Sequence, residues 1–258
     1  MSDAGRMGGS GDLVEGGVGG GDVGSDGRAD ARASVAPTAT TRVPGVDVPD
    51  RRGRTNLHLT GRDLTGNLRV RVRDVRLLTS NWYITRTTEI EYQHRDGHWS
   101  VEERETYDRG NGATILLYDA ARRTVLLIRQ FRYPAYVNGH PDGMLLETPA
   151  GLLDEDDPET AIRREAREET GYAIGEVTRV FDAYMSPGSI TEKLFFFAAP
   201  YDAGDRADAG GGLADEGEDI ELVELGIDAA LARIGDDIVD AKTIMLLQWA
   251  ALRGPFAR

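Results

Sequence analysis

Cysteine is absent from the 258 residues, which removes disulfides and thiolate metal sites. Lysine is nearly absent: Lys193 and Lys242 are the two present, and arginine supplies every other fixed cation. A lysine kept against that bias carries a compact point charge that arginine does not reproduce, so Lys242 is worth following. No apolar run approaches about 18 residues, so no transmembrane helix is expected. The N-terminus shows no apolar leader segment, and a cytoplasmic location is the expectation. Positive charge is in deficit, with 30 Lys and Arg against 44 Asp and Glu, a net charge of −14. That disfavours nucleic acid and anionic membrane as partners, since both need a basic surface. Anionic small molecules stay open, because a bound divalent cation inverts the local field. Aromatic residues are missing before Trp82. Residues 1–55, rich in Gly, Ala, Asp and Arg, cannot offset their chain entropy by burial and are expected to be a disordered tail.

What remains reads as two regions. Residues 56–108 read as an N-terminal β region. In "NLRVRVRDVRLL" Val70, Val72 and Val75 alternate with arginine and then shift phase, as a strand with a bulge does. "WYITRTTEIEYQ" follows, "RDGHW" supplies a turn, and "SVEERETYD" returns. Residues 109–258 read as the main domain. "ATILLYD" and "TVLLIRQFR" are near-continuous apolar runs, expected as central strands buried on both faces. "MLLETPAGLLD" (144–154) gives a short strand and then a loop. "EVTRVFDAYMS", "KLFFFAAPY" and "IELVEL" are further strands, an acidic loop occupies 202–220, and two helical stretches fill 227–252. Strands and helices interleave without strict βαβ alternation, which predicts an α+β sandwich.

The sharpest helix is "PETAIRREAREETG" (158–171). Pro158 suits its first turn, Asp157 its N-cap, and Gly171 the left-handed stop. Glu165, Glu168 and Glu169 fall on one arc of about 100°, while Arg163, Arg164 and Arg167 lie on the other side. Like charges at these spacings repel by roughly 0.2–0.5 kcal/mol per pair. A solvated helix gains more by interleaving its signs, and Arg164 with Glu168 at i,i+4 supports such a surface. A hard divalent cation accounts for the segregation, since Mg²⁺ takes oxygen ligands.

"PAGLLDEDDPETAIRREAREETGY" resembles the Nudix box. Gly151 opens it, and Arg164 through Tyr172 close it. It departs twice: Asp157 stands where Glu is usual, and six residues rather than seven separate it from Arg164. "YDRGNGATILLYD", "VLLIRQFR", "VNGH", "YMSPGSITE" and "DAGGGLADEGEDIE" extend the likeness from about Leu77 to Leu247, toward the GDP-mannose pyrophosphatase branch of the sugar-nucleotide Nudix hydrolases. The resemblance implies an α/β/α sandwich with a mixed sheet. It also implies Mg²⁺, with Mn²⁺ as a substitute, held by Glu165, Glu169 and the backbone carbonyl of Ala150, with Glu168 at the same cluster. A further Glu from the acidic loop aligns at Glu218, with Glu216 and Asp219 as alternatives. It completes the metal site or positions the attacking water. Arg132 matches a phosphate- or sugar-binding position, Lys242 a substrate contact on the last helix, and Glu192 a residue holding sugar or ribose hydroxyls. Glu103, Arg104 and Glu105 match a strand that reaches the neighbouring subunit's site. Trp82 takes the place of an aromatic that stacks on the base. A homodimer follows, with a nucleotide sugar as substrate. The expected reaction is cleavage of GDP-mannose to GMP and mannose 1-phosphate. The alternatives are an ADP-ribose or ADP-sugar pyrophosphatase and a non-catalytic ligand-binding regulator.

Overall fold

A computed structural model describes residues 66–202, 204, 206–213 and 217–257. The tail expected over 1–55, residues 56–65 and Glu216 lie outside them. β1 (Val70–Ser80), β2 (Ile84–Gln93) and β3 (Trp99–Asp108) form an antiparallel three-stranded sheet in chain order. The phase shift after Val72 is a true irregularity, with the register slipping between Val72 and Asp74. An ion pair with almost no exposure, Arg86 Nη1 to Asp108 Oδ2 at 3.0 Å, ties β2 to the end of β3. Asp108 also accepts the hydroxyl of Thr191 at 3.0 Å, and Tyr107 donates its N–H to Ser189 at 2.8 Å. These contacts join this sheet to the segment entering the larger one.

The larger sheet runs β10-β5-β4-β9-β8. Its strands are β4 (Gly112–Asp119), β5 (Thr124–Phe131), β8 (Thr178–Tyr184), β9 (Lys193–Pro200) and β10 (Glu221–Gly226). β4 and β9 pair in parallel, the rest antiparallel, so the sheet is mixed. Alternate side chains feed two cores, as the two-residue period of a strand requires. Ile115 and Leu117 pack with Ala161, Ile162 and Ala166 of α2 (Pro158–Thr170). Leu116, Leu127 and Phe196 pack with residues of α3 (Ile227–Ala232) and α4 (Ala241–Leu252). Each fully buried aliphatic chain contributes about 1.5–3 kcal/mol. The result is the expected α/β/α sandwich.

The sheet opens where the site forms. β4 and β5 pair over three residue pairs, Leu117–Asp119 against Thr124–Leu126, and then diverge. β6 (Met144–Glu147) fills the gap along β5, and β7 (Ala150–Leu152) fills it along β4. Thr148 and Pro149 cross between them. Thr114, Thr148 and Thr243 are wholly buried there, and their hydroxyls satisfy one another: Thr114 to Thr148 at 2.8 Å, and the Thr148 N–H to Thr243 at 2.7 Å. Two details depart from expectation. The segment after β6 was expected as a loop but contains β7, and a short helix, α1 (Tyr133–Val137), follows β5. Three and five residues are too few for a periodic signal; pairing and packing create both.

Candidate active site

α2 begins and ends as its sequence dictates. The Asp157 carboxylate accepts the N–H groups of Glu159 and Thr160 at 3.0 and 3.1 Å, and Gly171 closes the helix at φ 76°. The buried face of α2 carries Ala161, Ile162, Ala166 and Thr170, and among them Glu169, 2% exposed. One Glu169 oxygen accepts the Ala150 N–H at 3.1 Å. Burial pushes its pKa well above the ordinary carboxylate value, and the charges of Glu165 and Glu218 push it further. The Ala150 N–H and Arg132 act in the opposite direction without cancelling this. A carboxylate from the same helix and one from a distant loop therefore both act on Glu169.

Glu165 packs on Gly151, where any Cβ would overlap its carboxylate. The neighbouring strand carries Gly112, paired with Leu152. A Cβ there would lie 3.0 Å from the Gly151 carbonyl and 3.6 Å from Glu192 Oε1. These two glycines leave room for the Glu165 carboxylate and for the close approach of the two strands. Glu168 lies toward the helix edge and accepts Arg164 Nη1 at 3.2 Å, while the same nitrogen stands 3.0 Å from Glu165. The signs are thus less segregated than a helical projection implies, because the long Arg164 chain curls back over the acidic face.

Glu218 is delivered by a strap of backbone. The N–H groups of Ala207 and Gly211 donate to the carbonyls of Gly171 and Glu169 at 2.8 and 2.9 Å, and that of Gly212 to Glu168 at 3.0 Å. The strap occupies carbonyls that the end of α2 leaves without helical partners. Beyond it Glu218 accepts the Leu213 N–H at 2.9 Å, and Gly212 leaves room for its side chain. Of the alternatives to Glu218, Asp219 is exposed.

Arg132 and Lys242 converge on Glu147, which the sequence reading did not single out. Nε and Nη2 of Arg132 donate to one oxygen of Glu147 at 3.0 and 2.6 Å, and Lys242 Nζ lies 3.3 Å from the other. Lys242 also pairs with Asp240 at 3.0 Å, the residue that caps α4 through the Thr243 N–H. Glu192 faces Arg109 Nε at 3.5 Å. A lone charge inside "MLLETPAG" was the available signal for Glu147; nothing local marks Arg109. Trp82, 70% exposed, stands in the connection between β1 and β2, and the exposed run Glu103, Arg104 and Glu105 lies on β3 of the three-stranded sheet. Within the chain, Glu103 pairs with Arg76 and Arg104 with Glu102.

Among the described residues no group of three or more His, Asp or Glu side chains is placed to hold an ion by itself. Mg²⁺ asks for less, since one or two carboxylates beside waters suffice. The donors are hard oxygens, and their mutual repulsion at Glu169 is what a cation relieves. The residues fit the ion.

Comparison with known proteins identifies the family. Residues 69–107 match the family described as GDP-mannose pyrophosphatase NudK N-terminal domain, and residues 108–244 match the NUDIX domain. The chain is 54% identical over 184 residues to a GDP-mannose pyrophosphatase of Pectobacterium atrosepticum, covering 71% of this chain and 94% of that protein. It is 53% identical over 188 residues to the one from Yersinia enterocolitica, covering 72% and 97%. A crystal structure of an ADP compounds hydrolase shares the fold, with TM-score 0.54 and 19% identity, over 72% of this chain and 96% of that one. The chain belongs to the Nudix hydrolase family, on the branch of these GDP-mannose pyrophosphatases.

Proposed function

We propose that this Nudix pyrophosphatase hydrolyses the diphosphate bond of a nucleoside diphosphate sugar, with GDP-mannose giving GMP and mannose 1-phosphate. The observation that carries the reading is the buried Glu169, held by the Ala150 N–H next to the glycine on which Glu165 packs, with Arg132 and Lys242 meeting at Glu147 a few residues before Ala150. Glu165, Glu169, Glu218 and the Ala150 carbonyl would hold Mg²⁺, or Mn²⁺ in its place. Bound there, the ion neutralises diphosphate oxygens and lowers the pKa of a water. Glu218, approaching from its own loop, orients the attacking water, and Glu168 adds negative charge at the edge of the cluster. Arg132 and Lys242 take the phosphate charge, and Glu192 the sugar hydroxyls. Holding water and phosphorus in line supplies most of the remaining rate.

Base stacking falls to Trp82 in this reading, and part of the site comes from a second copy. Trp82 offers an exposed π-face, and the exposed residues 103–105 lie on the edge strand of a three-stranded sheet, open to a partner's site. The test is kcat/KM over GDP-mannose, GDP-glucose, ADP-ribose and ADP-glucose, with Mg²⁺ and with EDTA. GDP-mannose is expected to lead, with activity lost in EDTA. Preference for ADP-ribose over both GDP-sugars would overturn the substrate choice. Binding without cleavage of any of the four would overturn catalysis.

A further inference from the structure

Glu147 sits at the end of β6, where the sheet splays, and is 3% exposed. Both of its oxygens are engaged. Oε2 accepts Nε and Nη2 of Arg132 at 3.0 and 2.6 Å and Nε2 of Gln130 at 3.3 Å, while Oε1 faces Lys242 Nζ at 3.3 Å. The two cations come from far apart in the chain. Arg132 follows the last residue of β5, and Lys242 lies in the first turn of α4. The next residue, Thr148, holds the start of α4 through its N–H to Thr243. One carboxylate therefore contacts both cations, with Asp240 as a second partner of Lys242.

We infer that Glu147 is a positioning residue that fixes Arg132 and Lys242 at the separation needed for both to meet one diphosphate. This rests on the function proposed above. Without Glu147 the two like charges would repel, and their long, rotamer-rich side chains would lose a common anchor. Arg132 spends only one edge of its guanidinium on Glu147. Nη1 has no hydrogen-bond partner among the described residues, and the side chain is 39% exposed, so a face remains for ligand. Lys242 is held more tightly, between Glu147 and Asp240 and 12% exposed. A buried ion cluster of purely structural use is commonly matched or bettered by apolar residues of similar volume. This one keeps two cations at a partly open edge.

The experiment is steady-state kinetics on GDP-mannose with Glu147→Gln and Glu147→Asp, alongside thermal melts. The cations touch the diphosphate in ground and transition states alike, so the loss belongs in KM. KM is expected to rise about tenfold or more in Glu147→Gln, with kcat of the folded fraction within about threefold. Glu147→Asp keeps the charge but shortens its reach. It is expected to raise KM by about threefold or more, and it decides the matter if Glu147→Gln does not fold. A lower melting temperature with KM unmoved in the folded variants would show a structural role only and overturn the inference. Wild-type turnover separates the two failures. An active wild type with unmoved KM in the variants refutes the role of Glu147 alone. A wild type inactive on every nucleotide sugar refutes the proposed function and this inference with it.

Discussion

Glu169 concentrates the chemistry of this protein in one side chain. A carboxyl 2% exposed, facing two other carboxylates, holds its proton to a higher pH than an ordinary glutamate. With a raised folded pKa, the native state keeps that proton where the unfolded chain has lost it. In metal-free buffer its contribution is fully favourable below the unfolded value of about 4.5 and is lost as pH rises through the folded value. Glu169→Gln removes that dependence. Melts in EDTA are expected to show the variant gaining on wild type as pH rises, and Mg²⁺ to close the gap by binding only the native wild-type site. A difference that stays flat with pH would reject this account. In Mg²⁺ the same variant is expected to lose roughly 10²-fold or more in kcat, because it weakens electrostatic stabilisation of the transition state. Near wild-type turnover would place the metal elsewhere.

α2 and the strap over its C-terminal end form the element on which that side chain depends. The helix boundaries were legible in Asp157, Pro158 and Gly171, because caps are local chemistry. The strap was not: Gly210, Gly211 and Gly212 read only as an acidic, glycine-rich loop. Gly210 stands at φ 62°, and a Cβ there would lie 2.5 Å from the Thr170 carbonyl carbon and 2.6 Å from the Gly171 nitrogen. Those atoms are backbone and do not yield. Gly210→Ala is therefore expected to lift the strap and displace Glu218, lowering kcat about tenfold or more, since small misplacements are costly in positioned catalysis. Amide hydrogen exchange over residues 206–213 should quicken in step. Unchanged exchange together with unchanged kcat would show that the strap does not position Glu218.

For the whole molecule, the three-stranded sheet is the part with most left to do. It is fastened through Arg86, Asp108 and Tyr107, yet Trp82 and residues 103–105 remain exposed. If a partner's β3 completes each site, two inactive variants restore each other. Mixing Glu169→Gln with Arg104→Ala under subunit exchange is expected to recover about a quarter of wild-type activity, because half the dimers are mixed and each mixed dimer has one intact site. No recovery from a dimer seen by light scattering would mean that each chain builds its site alone. Among the described residues no helix is long and apolar enough to cross a membrane.

Local patterns determined the longer strands, the capped helix, the three clustered glutamates and the Nudix family, because pairing periods, caps and motif spacing are short-range properties of the chain. Tertiary structure alone decided that β4 and β5 part, that β6 and β7 fill the opening, and that Glu169 is the carboxylate buried there. It also decided that Arg132 and Lys242 share Glu147 and that a glycine strap brings Glu218 to the helix. Each of these joins residues separated by many positions, through backbone pairing and charge at close range. Even Arg132 and Glu147, 15 residues apart, meet only because β5 pairs with β6.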